Sequence, residues 1–152
     1  MNIREGSAVW ARLWPVMSTS LGTPPPDGPW PDRWATAPFC YLTTTGRQTG
    51  RPHTIEIWFA LHQGRLYLLS GNGGRADWVR NLRAESCVQV RLGDQPRSGR
   101  ARVVTEPAED ALARRLLVDK YQPSEDEPLD EWGRTALPVV VEFPPAAAAG
   151  AP

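Results

Sequence analysis

The sequence predicts an α+β, mainly β fold in which six antiparallel strands close into a small barrel. Stretches rich in β-branched and aromatic residues follow one another in pairs, and short turns that contain glycine join them, as in β-hairpins. Two segments with helical spacing interrupt this pattern, a short one in the middle and a longer one before the last strand. Strands paired by hairpins form antiparallel sheets, and six of them are enough for a closed wall.

The first three predicted strands occupy residues 39–70. The first is FCYLTTT, and the turn GRQTGR leads into the second, HTIEIWFALH. A period of two, which a half-buried strand requires, divides this second strand into two faces. One face carries Ile55, Ile57, Phe59 and Leu61, and the other carries Glu56, Trp58 and Ala60. A turn at residues 63–64 then leads into RLYLLS and completes a hairpin.

A glycine-rich loop at residues 71–74 separates these strands from the next elements. Trp78, Val79 and Leu82 lie at helical spacing and predict a short helix. SCVQVRL and SGRARVVT then form a second hairpin around residues 93–96. The hairpins on both sides of the short helix indicate antiparallel neighbours.

A longer helix and a final strand complete the predicted domain. Thr105 is expected to cap this helix, with Pro107 in its first turn and Lys120 near its negative end. Residues 122–131 are polar and acidic, and we expect a loop or lid there. LPVVVEF is the last predicted strand.

The ends of the chain are predicted to lie outside the barrel domain, which spans residues 39–144. Residues 1–21 place tryptophans and aliphatic residues at helical spacing. They favour a helix docked on the barrel over one on a membrane surface, because no lysine- or arginine-rich polar face accompanies them. Residues 22–38 contain six prolines and predict an extended linker, and residues 145–152 predict a disordered tail.

Composition argues against several function classes. The chain has 152 residues and a formal net charge of zero, so neither nucleic acid nor an anionic membrane is an expected partner. No apolar stretch has the length of a membrane helix. Cys40 and Cys87 form no CxxC pair, zinc-ligand spacing is lacking, and both cysteines are expected in the core. We expect a cytoplasmic protein without a bound metal.

An ordered set of motifs between residues 39 and 143 resembles the deazaflavin (F420)-dependent nitroreductase and quinone reductase family. The motifs are TTTGRQTGRPHTIEIWF, LYLLSGNGG, DWVRNLRA, ARVVT and PVVVEF. Each is weak alone, and their order is fairly specific. The resemblance implies a split β-barrel related to the pyridoxamine phosphate oxidase group, assembled as a homodimer, with F420 lying in a groove of the barrel.

The resemblance also implies which residues meet the cofactor. No catalytic side chain is expected, because the cofactor carries the hydride chemistry while the protein binds and orients it. The implied cofactor-binding residues in the turn and the strand after it are Arg47, Thr49, Arg51, His53, Thr54 and Ile55. Those in the glycine-rich loop and the following helix are Ser70, Gly71, Asn72, Gly73, Gly74, Trp78 and Asn81.

The chemistry of these residues agrees with such a site but leaves structural alternatives open. Arg47 and Arg51 flank one tight turn, and arginine binds phosphate through a bidentate fork; two solvent-exposed turn residues are the alternative. Trp78 and Asn81 share a helix face that suits a flat ring, or they are a core tryptophan and a surface asparagine. Relatives usually carry lysine at the position of Gln48, so the phosphate-binding charge is thinner here.

Three aromatic residues are predicted to face the substrate: Trp58, Tyr121 and Trp132. The last two bracket the acidic segment and suit a lid, with plain packing as the alternative. A rival motif, the dinucleotide fingerprint GxGxxA, begins at Gly71 and ends at Ala76. The hairpins around it argue against the parallel βαβ unit that this motif needs.

The sequence therefore predicts an oxidoreductase that passes hydride from reduced F420 to a quinone, a nitroaromatic or an activated alkene. An FMN-binding reductase on the same fold is one alternative. A protein that binds an apolar or haem-like ligand without catalysis is another.

Overall fold

The computed structural model describes residues 4–5 and 28–144, which form one eight-stranded sheet and three α-helices. The strands are β1 (Arg4–Glu5), β2 (Cys40–Thr45), β3 (Pro52–Ile57), β4 (Ala60–His62), β5 (Arg65–Ser70), β6 (Cys87–Leu92), β7 (Gln95–Val103) and β8 (Leu137–Glu142). The helices are α1 (Asp77–Ala84), α2 (Pro107–Tyr121) and α3 (Asp130–Thr135). Short 3-10 helices lie at Asp32–Thr36, Gly73–Arg75 and Gln122–Ser124.

The sheet is antiparallel throughout, as predicted. Its strand order is β1-β3-β2-β6-β7-β8-β5-β4, and every neighbouring pair runs antiparallel. The motif at Gly71 therefore does not open a parallel βαβ unit.

The sheet curls so that its two edges approach each other. β3 lies beside one edge strand and β4 forms the other edge, yet only Trp58 and Phe59 separate the two strands in the chain. A chain of three residues spans at most about 10 Å. The two edges must therefore lie close together, which gives the curled, mainly β architecture.

Apolar clusters cover both faces of β5 and β8. Leu68 and Val139 belong to a first cluster inside the curl, which α1 closes. Tyr67 and Val140 point the other way, because successive strand residues alternate between faces, and they belong to a second cluster with Leu117 of α2. The sheet is thus packed on both faces, and α1 packs against the first cluster.

The predicted second strand is broken in its middle. The alternation is confirmed, since Ile57 and Phe59 lie in the first cluster while Trp58 and Ala60 lie in the second. However, β3 ends before Trp58 because the chain crosses there between the sheet edges. The Tyr121 hydroxyl, 3.1 Å from the Phe59 nitrogen and 3.2 Å from its oxygen, replaces the missing strand partner. This break and the short β1 raise the strand count from the predicted six to eight.

Three smaller predictions were wrong. Glu106, not Thr105, caps α2, because its side chain accepts a hydrogen bond from the Glu109 nitrogen at 2.9 Å. The predicted polar loop at residues 122–131 contains a 3-10 helix, and the start of α3 lies at its end. Cys40 is buried as predicted, but Cys87 is exposed, because the alternation of β6 turns its neighbour Val88 inward.

The predicted helix over residues 1–21 and the tail at 145–152 lie outside the described residues, apart from β1, which pairs with β3. The described part of the linker is docked on the sheet. Trp30 is buried in the first cluster, and the Arg97 guanidinium donates to the carbonyls of Gly28 and Pro29 at 2.8 and 2.7 Å. Within residues 28–144, no helix is both long and apolar enough to cross a membrane.

Candidate functional site: a cleft between the β2–β3 turn and α1

A cleft of about 200 Å³ lies between the β2–β3 turn and the first turns of α1. We call it the turn–helix cleft. Its lining residues come from β2, the turn, β3 and α1: Thr44, Gly46, Arg47, Gln48, Thr49, His53, Ile55, Asp77, Trp78 and Asn81.

The β2–β3 turn is closed by its own backbone. The Gly46 nitrogen donates to the Arg51 carbonyl at 2.7 Å, and the Gly50 nitrogen donates to the Gly46 carbonyl at 2.8 Å. Gly50 has a φ of +73°, which favours glycine. A Cβ atom on Gly46 would lie 2.8 Å from both His53 Nε2 and Thr49 Oγ1. Glycine at position 46 therefore lets these two side chains close over the turn.

Asn81 anchors Arg47 in the cleft. Its side-chain oxygen accepts from the Arg47 backbone nitrogen at 3.2 Å and from Nη1 at 2.9 Å. Its amide nitrogen donates to Thr44 Oγ1 at 3.2 Å, and the Asn81 side chain is buried. Because the anchor is a neutral amide, it orients the guanidinium without cancelling its charge.

Asp77 brings a carboxylate to the same guanidinium. Its Oδ1 lies 3.3 Å from Arg47 Nη2, and its side chain is 78% exposed. Asp77 and Asn81 are four residues apart on α1, so they lie on one face of the helix. The cleft thus pairs its central cation with one largely exposed carboxylate.

Trp78 and Ile55 give the cleft apolar walls, and both are buried. The indole nitrogen of Trp78 is buried and makes no hydrogen bond. A buried donor without an acceptor costs free energy, but this nitrogen has no exposed surface and is not presented to the cleft. Trp78 and Ile55 therefore offer the cleft apolar surface, which suits a flat ring.

Six of the predicted cofactor-binding residues meet in this cleft: Arg47, Thr49, His53, Ile55, Trp78 and Asn81. Two others from the first segment do not line it. Arg51 is exposed at the end of the turn, and Thr54 points to the opposite face of β3, where its hydroxyl lies 2.8 Å from that of Thr43.

The glycine-rich loop also lies outside the lining of the cleft. Ser70 is fully buried and donates to the Gly73 carbonyl at 2.9 Å. Gly71, Asn72 and Gly74 continue this turn toward α1. In this structure the loop determines where α1 begins. It therefore also determines the positions of the α1 residues that line the cleft.

The three aromatic residues predicted to face the substrate pack against one another beneath α2. Trp58 stacks on Tyr121 with ring centroids 4.2 Å apart and planes 4° apart, and Trp132 meets Trp58 edge-on at 5.6 Å. All three belong to or pack against the second cluster and do not line the turn–helix cleft. The three rings pack closely against one another, and their role toward a substrate stays a prediction.

A half-buried amine lies beside this aromatic group. Lys120 Nζ donates to the carbonyls of Ala37 and Phe59 at 2.8 and 3.0 Å. Loss of solvation lowers the pKa of Lys120 to about 8. Burial also raises the pKa of the Tyr121 phenol. Both groups act here as hydrogen-bond partners for the chain that links β3 and β4.

Four cleft residues were not predicted: Thr44, Gly46, Gln48 and Asp77. The helical spacing of Asp77 and Asn81 was a usable signal, as was the alternation that places Thr44 on the same face of β2 as Leu42. Within the described residues, no group of three His, Cys, Asp or Glu side chains is placed to hold a metal.

Residues 26–144 match the family model of F420H2-dependent quinone reductases. A solved F420-H2 dependent reductase is 22% identical, with 69% of this chain and 94% of that chain covered and a TM-score of 0.57. A domain-swapped dimer is 21% identical, with 69% and 80% covered and a TM-score of 0.57. A putative pyridoxamine 5′-phosphate oxidase from Listeria innocua is 18% identical, with 72% and 86% covered and a TM-score of 0.52. These three structures share the fold.

Proposed function

The chain belongs to the F420H2-dependent quinone reductase family, and we propose that it transfers hydride from reduced F420 to a quinone, a nitroaromatic or an activated alkene. Family membership makes it an oxidoreductase that uses F420. The observation that carries the placement of the cofactor is the turn–helix cleft, where an oriented guanidinium lies beside the apolar side chains of Trp78 and Ile55.

The residues of the cleft fit this cofactor. F420 combines a flat ring, which carries carbonyl oxygens, with a phosphate. Arg47 supplies a charged donor for the phosphate, since Asn81 leaves its charge in place. Trp78 and Ile55 offer apolar surface to the ring.

Hydride transfer requires little acid–base catalysis from the protein. Bound reduced F420 supplies the hydride. Arg47 binds the phosphate of the cofactor and so orients the cofactor. The Asn81 amide holds the Arg47 side chain in one direction. The buried side chains of Trp78 and Ile55 exclude water from the ring.

Fluorescence titration of the purified protein with F420 and with FMN tests the proposal. We expect F420 to bind, and we expect Arg47→Ala to weaken its binding about tenfold or more, since a charge-assisted hydrogen bond contributes about 1.5–3 kcal/mol. Arg115→Ala removes an exposed arginine of α2 outside the cleft and serves as the matched control, with no change expected. If F420 does not bind at micromolar concentration, the proposed function is wrong.

We also propose a homodimer that works in the cytoplasm. The fold shared with a domain-swapped dimer supports the assembly, and the compartment stays a prediction from the sequence. Light scattering that finds the mass of a single chain would contradict the dimer.

A further inference from the structure

A groove of about 370 Å³ lies where β8 leaves β7, and it shares no lining residue with the turn–helix cleft. We call it the β8-end groove. Its lining residues come from the start of β6, the middle of β7 and the end of β8: Cys87, Ser98, Gly99, Arg100, Glu142, Phe143 and Pro144. The function proposed above makes no use of this groove.

The groove exists because β7 is longer than the part of it that β8 covers. The β7–β8 ladder begins only at Arg100, so the first half of β7 has β6 as its only strand partner in the part of the chain that the structure describes. After Glu142, the side chain of Phe143 turns into the first cluster and packs edge-on against Trp30 at 6.0 Å. The space beside β7 is therefore left open, with Phe143 and Pro144 as apolar walls.

Glycine at position 99 allows β8 to leave in this way. A Cβ atom there would lie 2.8 Å from the Glu142 carbonyl oxygen and 3.0 Å from Phe143 Cδ1. Both distances are well inside the separation of about 3.5–4.0 Å at which carbon atoms pack. The end of β8 thus crosses β7 closely at Gly99, and this crossing holds Phe143 beside the groove.

The charges along the groove are not balanced. Register places Arg100 of β7 beside Glu142 of β8, but Glu142 is already matched by Arg65 and Arg102, each 3.4 Å away. Arg100 donates to the neutral Ser86 hydroxyl at 3.1 Å and has no carboxylate partner among the described residues. The groove therefore offers one cation, next to apolar walls, to a ligand.

We propose that the β8-end groove binds a small monocarboxylate with a hydrocarbon chain, with the carboxylate on Arg100 and the chain against Phe143 and Pro144. A guanidinium matches a carboxylate through two parallel hydrogen bonds. Apolar walls and a hydrocarbon chain both lose contact with water when they meet, which is favourable. A methylene group takes up about the space of a water molecule, about 30 Å³, so the groove holds about twelve such groups. Decanoate has this size.

Protection of Cys87 from alkylation measures whether the groove is occupied. The Cys87 thiol is exposed, lines the groove and pairs with Arg100 in the β6–β7 register, whereas Cys40 is buried. The reagent is iodoacetamide, because a neutral reagent is not attracted or repelled by the guanidinium. The rate of alkylation is followed by mass spectrometry while the full chain is titrated with decanoate or with acetate. We expect decanoate to slow the alkylation at millimolar concentration and acetate, which lacks the chain, to have no effect.

Arg100→Gln and Arg115→Gln test the ion pair against a matched control. Both positions are exposed, and Arg115 lies on α2 outside the groove. Because an exposed ion pair contributes little, we expect Arg100→Gln to raise the half-protecting concentration of decanoate only about threefold. Arg115→Gln should leave it unchanged. Each rate is divided by the ligand-free rate of the same variant, so a change in the reactivity of the thiol itself cancels.

Four results would overturn the proposal. Without protection by decanoate, the groove holds no such ligand. Equal protection of the wild type and Arg100→Gln would show that the carboxylate is not recognised, and equal protection by acetate would make the groove a plain anion site. Slow alkylation of Cys87 without any ligand would show that residues 145–152 or a second copy of the chain cover the groove. F420 binding is measured separately, so none of these results bears on the proposed function.

Discussion

The sheet corner between β3 and β4 depends on one phenolic hydroxyl, and Tyr121→Phe removes it while keeping the ring. The Tyr121 oxygen accepts from the Phe59 nitrogen at 3.1 Å and lies 2.8 Å from the Pro38 carbonyl. The ring itself stacks on Trp58, and this contact is retained in the variant. The substitution therefore isolates the hydrogen bonds of the corner.

The expected loss can be worked out group by group. The Phe59 carbonyl keeps Lys120 Nζ, 3.0 Å away, as a partner. The Phe59 N–H keeps no partner among the described residues and is buried. A buried donor left unpaired costs about 1–3 kcal/mol. We expect Tyr121→Phe to lower the free energy of unfolding by about 2 kcal/mol, or the Tm by about 4–8 °C for a chain of this size.

Urea unfolding followed by tryptophan fluorescence measures this loss, with Tyr67→Phe as the matched control. The Tyr67 hydroxyl donates to Glu109 at 2.9 Å, but that carboxylate also receives Arg102 at 3.2 Å and therefore keeps a partner. The control should cost only about 0.5–1 kcal/mol. If Tyr121→Phe costs no more than Tyr67→Phe, the hydroxyl does not hold the corner and the reasoning is refuted.

Two further predictions concern buried titratable groups. Because the pKa of Lys120 falls to about 8 in the folded protein, the unfolded state binds more protons between that pH and the ordinary pKa near 10.4. The unfolding free energy of the wild type should therefore rise relative to that of Lys120→Met between pH 8 and 10; a constant difference in urea unfolding would contradict this. Burial raises the pKa of the Cys40 thiol whereas Cys87 is exposed, so a thiol reagent should modify one cysteine in the native protein and two in denaturant. Two fast thiols in the native protein would refute this prediction.

Local patterns predicted most of the fold. Alternation along β3, β5 and β8 and the helical spacing of α1 are short-range properties, and each survives in the structure. The break at Trp58 was not predictable in the same way, because alternation continues through it. The break exists because two distant sheet edges meet there, and the phenol that stabilises it comes from Tyr121, which lies 62 positions further along the chain than Phe59.

Short-range patterns also identified part of the candidate cleft, but not the contacts between distant segments that shape it. Arg47 and Asn81 were identified, but their contact across 34 positions depends on how α1 docks on the sheet. Alternation along β3 is enough to predict that Thr54 points away from the cleft, because its neighbour Ile55 lines the cleft. The role of Ser70 in holding the Gly73 carbonyl required the path of the loop, which composition does not define.

The position of Asp77 shows why counting charges along a sequence is a weak guide to the charge of a folded cleft. The β2–β3 turn carries two arginines, which alone suggest a strongly cationic phosphate site. Folding separates them: Arg51 stays outside the cleft lining, while Arg47 enters it together with a carboxylate from α1. The net positive charge of the cleft is therefore lower than the two arginines of the turn imply.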